Sequence, residues 1–206
     1  MRIKKGVPMM AGGLLLLAAA LCLTGYNIWD GYRAATVVEE AVRELEARII
    51  PVEEQDLPEE MIPDYVVSPQ IEMPTMEIDG KEYIGYLSVP VLSLNLPVMS
   101  EWSYPNLKIS PCRYVGSVYL DNMVLCAHNY ERHFGNLKTL SPGELITFTD
   151  VDGNIFYYSV LGLEQLQPTA VPEMVEGDWD LTLFTCTVGG QFRWTLRCER
   201  MEEPPV

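Results

Sequence analysis

An apolar run near the N-terminus constrains this 206-residue chain more than any other feature. Residues 7–29 contain no charged side chain, and about 20 apolar residues are enough to cross a bilayer as a helix. Arg2, Lys4 and Lys5 precede the run, and a strongly acidic chain follows it. We therefore expect residues 1–6 in the cytoplasm, a transmembrane anchor over 7–29 and the rest of the chain outside the cell membrane.

A cleaved signal peptide is the alternative to a retained anchor. The apolar region of a signal peptide is about 7–15 residues long and ends at a small-residue cleavage site. The run in this chain is longer, and it ends in Tyr26, Ile28 and Trp29, which are residue types suited to a membrane interface. Its length and its ending both favour a retained single-pass anchor.

Charge and composition bound the remaining part of the chain. The length suggests one domain with attached segments. The formal net charge of −15 argues against nucleic-acid binding, because a face that binds nucleic acid needs clustered Lys and Arg.

Two segments separate the apolar run from the expected domain. Over residues 30–50, apolar side chains recur at helical spacing, which predicts a juxtamembrane helical stalk too short for a coiled coil. Residues 51–80 contain five prolines, nine acidic residues and no Lys or Arg, which predicts an extended linker. The alternative is that part of 51–80 forms a lid over an active site.

From residue 81 to residue 200 the sequence is dominated by short β-type runs separated by turn residues. About eight strands are expected: 83–90, 94–99, 114–119, 123–128, 145–149, 155–163, 179–186 and 191–198. Many short strands with few helices predict a mainly β fold in the form of a closed or nearly closed barrel. Residues 201–206 are expected to be a polar tail.

Three ionisable residues occupy positions suited to nucleophilic catalysis. Cys186 and His128 each lie at the end of a predicted strand, and Arg193 lies on the strand that returns after Gly189 and Gly190. A thiol needs a partner that removes its proton, and the imidazole can later protonate a leaving amine. An arginine stays charged and can hold an oxyanion.

Other interpretations of these residues exist. Cys112, Cys126, Cys186 and Cys198 could form two disulfides, one bridge among the three other than Cys186, or none. A zinc site is another possibility, with Cys126, His128, His133 and Cys186 as ligands. The usual C-x-x-C or H-x-x-x-H pair is missing, which argues against it. Arg193 could also be a surface cation that balances an acidic chain.

The predicted strand that ends at Cys186 contains a motif similar to that of a known protein family. Residues 182–186, TLFTC, resemble the TLxTC signature of sortases, the membrane-anchored cysteine transpeptidases of Gram-positive bacteria. Residues 127–130 (AHNY), followed by 134–137 and 140–144, resemble the sortase histidine block, with Ala127 and Glu144 in place of the usual glycine and aspartate. Residues 84–90 with 96–98 resemble the opening strands of the family.

The resemblance implies a role for each matching residue. His128 matches the catalytic histidine, Cys186 the nucleophile and Arg193 the catalytic arginine, with Arg197 as the alternative on the same strand face. Thr185 is expected to line the site beside the thiol, and the backbone N–H of Thr187 is expected to stabilise the oxyanion. The implied fold is the eight-stranded sortase β-barrel over residues 81–200.

The resemblance also implies a reaction and its partners. The substrates would be secreted proteins with an LPxTG-like sorting signal, cleaved between Thr and Gly. The acyl group would pass to a peptidoglycan precursor or pilin amine, without a metal or organic cofactor. Asp64-Tyr65 is a loose match to the Asp-x-aromatic lid motif of the family. A thiol hydrolase of the same fold and a membrane-tethered binding module are the alternatives.

Overall fold

The computed structural model describes residues 6–51 and 63–203 and begins with one long helix, α1 (Gly6–Arg48). Within α1, Pro8–Trp29 is long and apolar enough to cross a membrane, and none of this stretch is buried against the protein. The expected tip (except Gly6), residues 52–62 of the expected linker and residues 204–206 of the expected tail lie outside the described residues.

The second half of α1 packs against the globular part of the protein. Its apolar stripe is buried there, and the side chain of Leu45 has no exposed surface. Leu45 lies in one apolar cluster with Met99 and Cys112, and Val42 belongs to the main core. The sequence predicted a juxtamembrane stalk in this region. In the structure the apolar stripe is buried against the barrel, because burial stabilises a stripe of this width, and α1 is therefore part of the folded unit. The buried residues of the stripe are Val38, Ala41, Val42, Leu45 and Ile49.

Nine strands follow within residues 63–203, and eight of them form a closed barrel. The strands are β1 (Met76–Ile78), β2 (Lys81–Val89), β3 (Leu94–Met99), β4 (Cys112–Val115), β5 (Met123–Ala127), β6 (Leu145–Asp150), β7 (Ile155–Leu166), β8 (Leu181–Cys186) and β9 (Arg193–Met201). Their order is β2-β3-β4-β5-β8-β9-β7-β6, and β6 pairs back onto β2, while β1 pairs only with the start of β2. The predicted eight-stranded barrel is thereby confirmed.

The closure depends on a glycine in β2. Gly85 pairs with Asp150 of β6 and has a φ of 145°, a conformation that other residues rarely adopt. A Cβ atom at this position would lie 2.0 Å from the carbonyl oxygen of Thr149. Only glycine therefore lets β2 and β6 approach closely enough to pair.

The connections hold three short α-helices, α2 (Asp64–Val67), α3 (Tyr104–Leu107) and α4 (Val171–Val175). The expected strand 114–119 ends at Val115, because Gly116 takes a φ of 79° and a 3-10 turn follows over Val118–Leu120. The expected linker contains α2 and β1, and the expected tail gives its first residue, Met201, to β9.

The Asp64-Tyr65 pair does not lie over the ends of β5 and β8. The ring of Tyr65 stacks on Tyr119 at 4.7 Å and contacts Phe156 at the start of β7. The start of β7 pairs with the end of β9, whereas Cys186 faces the start of β9. The residues that resemble a lid motif therefore pack at the opposite end of the barrel from the thiol.

The packing of α1 predicts that a helix substitution weakens the barrel. Leu45→Ala should lower the free energy of unfolding by about 2–4 kcal/mol, because it removes a fully buried side chain. Ile50→Ala is the matched control, since Ile50 is 82% exposed and should change stability by less than about 0.5 kcal/mol. Urea unfolding of the full chain in detergent measures both variants. Equal midpoints for L45A and the wild type would contradict the packing of α1.

Candidate active site

Three adjacent strands bring the predicted site residues together. Parallel strands β5 and β8 pair Ala127 with Thr185, so the next residues, His128 and Cys186, lie side by side where both strands end. On the other side of β8, the antiparallel pairing places Arg193 directly opposite Cys186. His128, Cys186 and Arg193 therefore form a row across one end of the sheet.

Strand alternation turns Cys186 to the outside of the barrel. Leu181 and Leu183 of β8 are fully buried in the main core, so Cys186, three residues after Leu183 and therefore out of step with both, lies on the other face. Cys186 is partly exposed. Thr185 points the other way, is buried, and donates its hydroxyl proton to the carbonyl oxygen of Ala127 at 2.8 Å. Thr185 thus ties β8 to β5 immediately beside the thiol.

The backbone N–H of Thr187 already has a partner. It donates to the carbonyl oxygen of Phe192 at 2.9 Å, and the Thr187 hydroxyl accepts from the N–H of Phe192 at 3.1 Å. These bonds close the β8–β9 turn through Gly189 and Gly190, both of which have positive φ. The expected role of the Thr187 N–H as an oxyanion donor does not fit this geometry, because the N–H would have to leave the turn first.

The two candidate arginines have different surroundings. Arg193 is partly buried, and within residues 6–51 and 63–203 its guanidinium donates only to backbone carbonyls of its own turn, Gly190 and Phe192, both at 3.3 Å. Arg197 is buried and pairs with Glu164 at 2.8 Å.

Arg197 also anchors the connection between β7 and β8. It donates to Thr182 at 2.9 Å and to the carbonyl oxygen of Met174 in α4 at 3.0 Å, and it lies 5.5 Å from the centre of the Trp179 ring. With its donors used in this way, Arg197 supports the fold around α4. Arg193 is the arginine that can turn toward a substrate at Cys186.

A compact turn after β5 holds His128. The N–H of Phe134 donates to the carbonyl oxygen of His128, and the ring of Tyr130 lies 5.0 Å from the His128 ring. Gly135 packs so tightly in this turn that a Cβ atom would lie 2.6 Å from the carbonyl oxygen of Asn129. At the outer edge, Arg132 forms an ion pair with Glu39 of α1, so the histidine turn also contacts this helix.

His133 is a buried residue whose importance the sequence did not show. Its ring has no exposed surface and lies 5.4 Å from the ring of Tyr130, within the turn that follows His128. Among the described residues, neither ring nitrogen has a hydrogen-bond partner. Burial, together with the charge of nearby His128, lowers the pKa of His133 to about 4. The flanking aromatic residues Tyr130 and Phe134 were the available signal for this burial.

The other thiols outside α1 are buried and unpaired. Cys112, Cys126 and Cys198 are free, which corresponds to the expectation of three buried thiols rather than to either disulfide arrangement. Burial raises the pKa of Cys112 to about 12 and also raises the pKa of Cys126 and Cys198. Since the thiolate is the nucleophile, these three groups are chemically silent at neutral pH. Within residues 6–51 and 63–203, no group of three or more metal-binding side chains is arranged around a common point.

Two comparisons of the sequence with known proteins give the same family. The family model described as Sortase domain matches residues 87–200, which is more than half of the chain. Sortase A of Bacillus anthracis is 27% identical over 186 residues and covers 84% of each chain.

Solved structures of sortases share the fold. Sortase C1 of Streptococcus agalactiae superimposes with a TM-score of 0.59, with 21% identity, covering 80% of this chain and all of the other. Sortase C1 of Streptococcus suis gives a TM-score of 0.51, with 26% identity, covering 60% of this chain and 74% of the other.

The burial of His133 predicts a pH-dependent stability. The unfolded chain binds a proton at this residue near pH 6.5, and the folded chain does so only near pH 4. The contribution of the neutral ring is therefore complete above about pH 7 and is lost as the pH falls toward 4, by roughly 3 kcal/mol in all. His133→Phe should reduce the decline in unfolding free energy over this range, as measured by urea unfolding at pH 7 and pH 5.

The only other histidine supplies the control. His128→Gln removes a histidine from the same turn and should leave most of the pH-dependent decline in place. Identical declines in H133F and the wild type would show that His133 does not titrate as its burial requires.

Proposed function

The chain belongs to the sortase family, whose members are transpeptidases, and from that premise we propose that Cys186 is the nucleophile of a cysteine transpeptidase. The row of His128, Cys186 and Arg193 across β5, β8 and β9 carries the proposal. It joins the reactive thiol, a proton carrier and a fixed positive charge at one exposed end of the barrel.

In the first half-reaction, the Sγ atom of Cys186 attacks the carbonyl carbon of Thr in an LPxTG-like sorting signal. The thiol proton passes to His128, and the carbonyl oxygen becomes an oxyanion. Collapse of this intermediate breaks the Thr–Gly bond, and His128 returns the proton to the leaving Gly amine. The product is a thioester between Cys186 and the Thr carbonyl carbon.

In the second half-reaction, an amine replaces the leaving peptide. His128 accepts a proton from the incoming amine, the new amide bond forms as the thioester breaks, and His128 passes the proton to Sγ to regenerate the Cys186 thiol. The proposed amine belongs to a peptidoglycan precursor or a pilin lysine. The acyl group is transferred twice, first to Cys186 and then to the amine, and neither transfer changes an oxidation state.

Arg193 is proposed to stabilise the charge that develops during both steps. It is directly opposite Cys186, and its present bonds to the carbonyls of Gly190 and Phe192 can be exchanged for bonds to substrate. The guanidinium offers two parallel donors to an oxyanion or to backbone carbonyls of the signal. This role gains weight because the N–H of Thr187 is occupied within the turn.

The apolar half of α1 supports a location at the membrane. One N-terminal helix has the length and composition of a single span. With basic residues on its N-terminal side, we propose a cytoplasmic N-terminus and a barrel on the outer surface of the cell membrane. Secreted proteins that carry the sorting signal would then meet the enzyme as they leave the membrane.

The nucleophile can be tested by intact-mass spectrometry of the full chain in detergent with an LPxTG-type peptide. The wild type should gain the mass of the acyl fragment that ends in Thr, and Cys186→Ala should gain none. Cys198→Ala is the matched control, because it removes a buried thiol and should keep the adduct. An adduct on C186A would contradict the assignment. No wild-type adduct, despite alkylation of Cys186, would instead contradict the proposed signal.

Variants of Arg193 and Arg197 should differ in whether they lower peptide turnover or lower stability. Arg193→Gln should lower kcat/KM by about 10²–10³-fold with little change in stability, because it removes transition-state stabilisation from a partly exposed position. Arg197→Gln should lower the free energy of unfolding by about 2 kcal/mol or more, because it leaves buried partners without hydrogen bonds. Peptide turnover and urea unfolding are measured on both variants. The reverse pattern would assign catalysis to Arg197.

A further inference from the structure

A small basic cleft lies between α1 and the side of the barrel. It has a volume of about 500 Å³ and is formed by one face of α1, the first residue of β2 and the helix α3 with the residues after it. Three of its side chains are cations, from Arg33, Lys81 and Lys108, and among the described residues no Asp or Glu lines it. The other lining residues are Val37, Tyr104, Pro105 and Ile109.

This grouping runs against the composition of the chain. The protein has 29 acidic residues and only 14 Lys and Arg, so three cations around one cleft concentrate a scarce charge. Lys108 is exposed and Lys81 is partly exposed, and neither forms an ion pair in the part of the chain that the structure describes. Asp79 and Glu82 are close to Lys81 in sequence but do not line the cleft. The cleft therefore offers a positive potential to an anion.

The position of the cleft along α1 identifies where such an anion would be. Arg33 is one helical turn beyond Trp29, the end of the possible span, and its guanidinium lies 5.8 Å from the centre of the Trp29 ring. A helix rises 1.5 Å per residue, so Arg33 stands roughly 6 Å above the end of the apolar stretch. The headgroup layer on each side of a bilayer is about 5–7 Å thick. Arg33 is thus at the level of lipid headgroups.

The barrel presents membrane-type residues at the same cleft. Tyr104 is 75% exposed and lies 6.0 Å, ring to ring, from Trp102, which is 42% exposed. Exposed Tyr and Trp are the aromatic residues enriched at membrane interfaces. Since α1 is continuous and its second half is packed on the barrel, Lys81 and Lys108 have a fixed height relative to the span.

We propose that Arg33, Lys81 and Lys108 bind the phosphate group of an anionic membrane lipid and thereby hold the barrel in one orientation on the membrane. The inference rests on the proposed membrane insertion of α1, because only that insertion brings a lipid phosphate to the cleft. The lipid headgroup supplies the negative charge, and Tyr104 packs beside it at the interface. The acidic remainder of the barrel surface would be repelled from the same membrane, which strengthens the orientation.

The test uses the full chain in nanodiscs and amide hydrogen exchange. One nanodisc contains phosphatidylglycerol and the other only phosphatidylcholine. Exchange over residues 81–83 and 104–110 should be slower in phosphatidylglycerol, and the double variant Lys81→Gln/Lys108→Gln should lose this difference. Each removed cation should weaken lipid binding by about fivefold. Lys138→Gln is the matched control, since it removes one exposed cation that does not line the cleft and should keep the protection.

The possible outcomes distinguish a lipid phosphate from a soluble phosphate ester. They also distinguish failure of the headgroup site from failure of membrane insertion. Equal exchange in both lipids would overturn the headgroup site, while protection of residues 8–29 in both would show that the anchor itself is inserted. Loss of protection over 8–29 would overturn membrane insertion and the headgroup site together. Protection of 104–110 by glycerol 3-phosphate in phosphatidylcholine nanodiscs would assign the cleft to soluble phosphate esters and overturn the lipid proposal.

Discussion

The hydrogen bonds between parallel strands β5 and β8 fix the register on which the site depends. They align Ala127 with Thr185, residues 58 positions apart in sequence, and so place His128 beside Cys186. A shift of one residue would move every side chain of β8 to the opposite face. Cys186 would then point into the core. The Thr185 hydroxyl, bonded to Ala127 at the last paired position, secures the register where the chemistry is proposed to occur.

The helix α1 joins the candidate membrane span to the barrel as one continuous helix. Its buried stripe includes Leu45, and the ion pair between Glu39 and Arg132 connects it to the turn that follows His128. The histidine turn is therefore held from two sides, by β5 and by α1. This arrangement relates the position of the proposed catalytic groups to the candidate span through one continuous helix.

The sequence predicted the eight-stranded barrel, and it placed His128 and Cys186 at strand ends, because strand ends and a returning strand are local patterns. It favoured Arg193 over Arg197 only through the family resemblance, since both lie on one strand face and the contacts of Arg197 with α4 are visible only in the structure. The sequence also could not predict the hydrogen bond of the Thr187 N–H or the burial of His133. Both depend on how a turn folds back on itself, which residue types alone do not specify.

The burial of three thiols also determines how the protein would respond to an oxidant. Cys112, Cys126 and Cys198 are buried and have raised pKa values, so a peroxide finds little thiolate to attack there. Cys186 is partly exposed, unlike the other three thiols outside α1. Oxidative damage is thereby concentrated on the one atom that the proposed reaction uses, and oxidation to a sulfenic acid would silence the enzyme while leaving its fold unchanged.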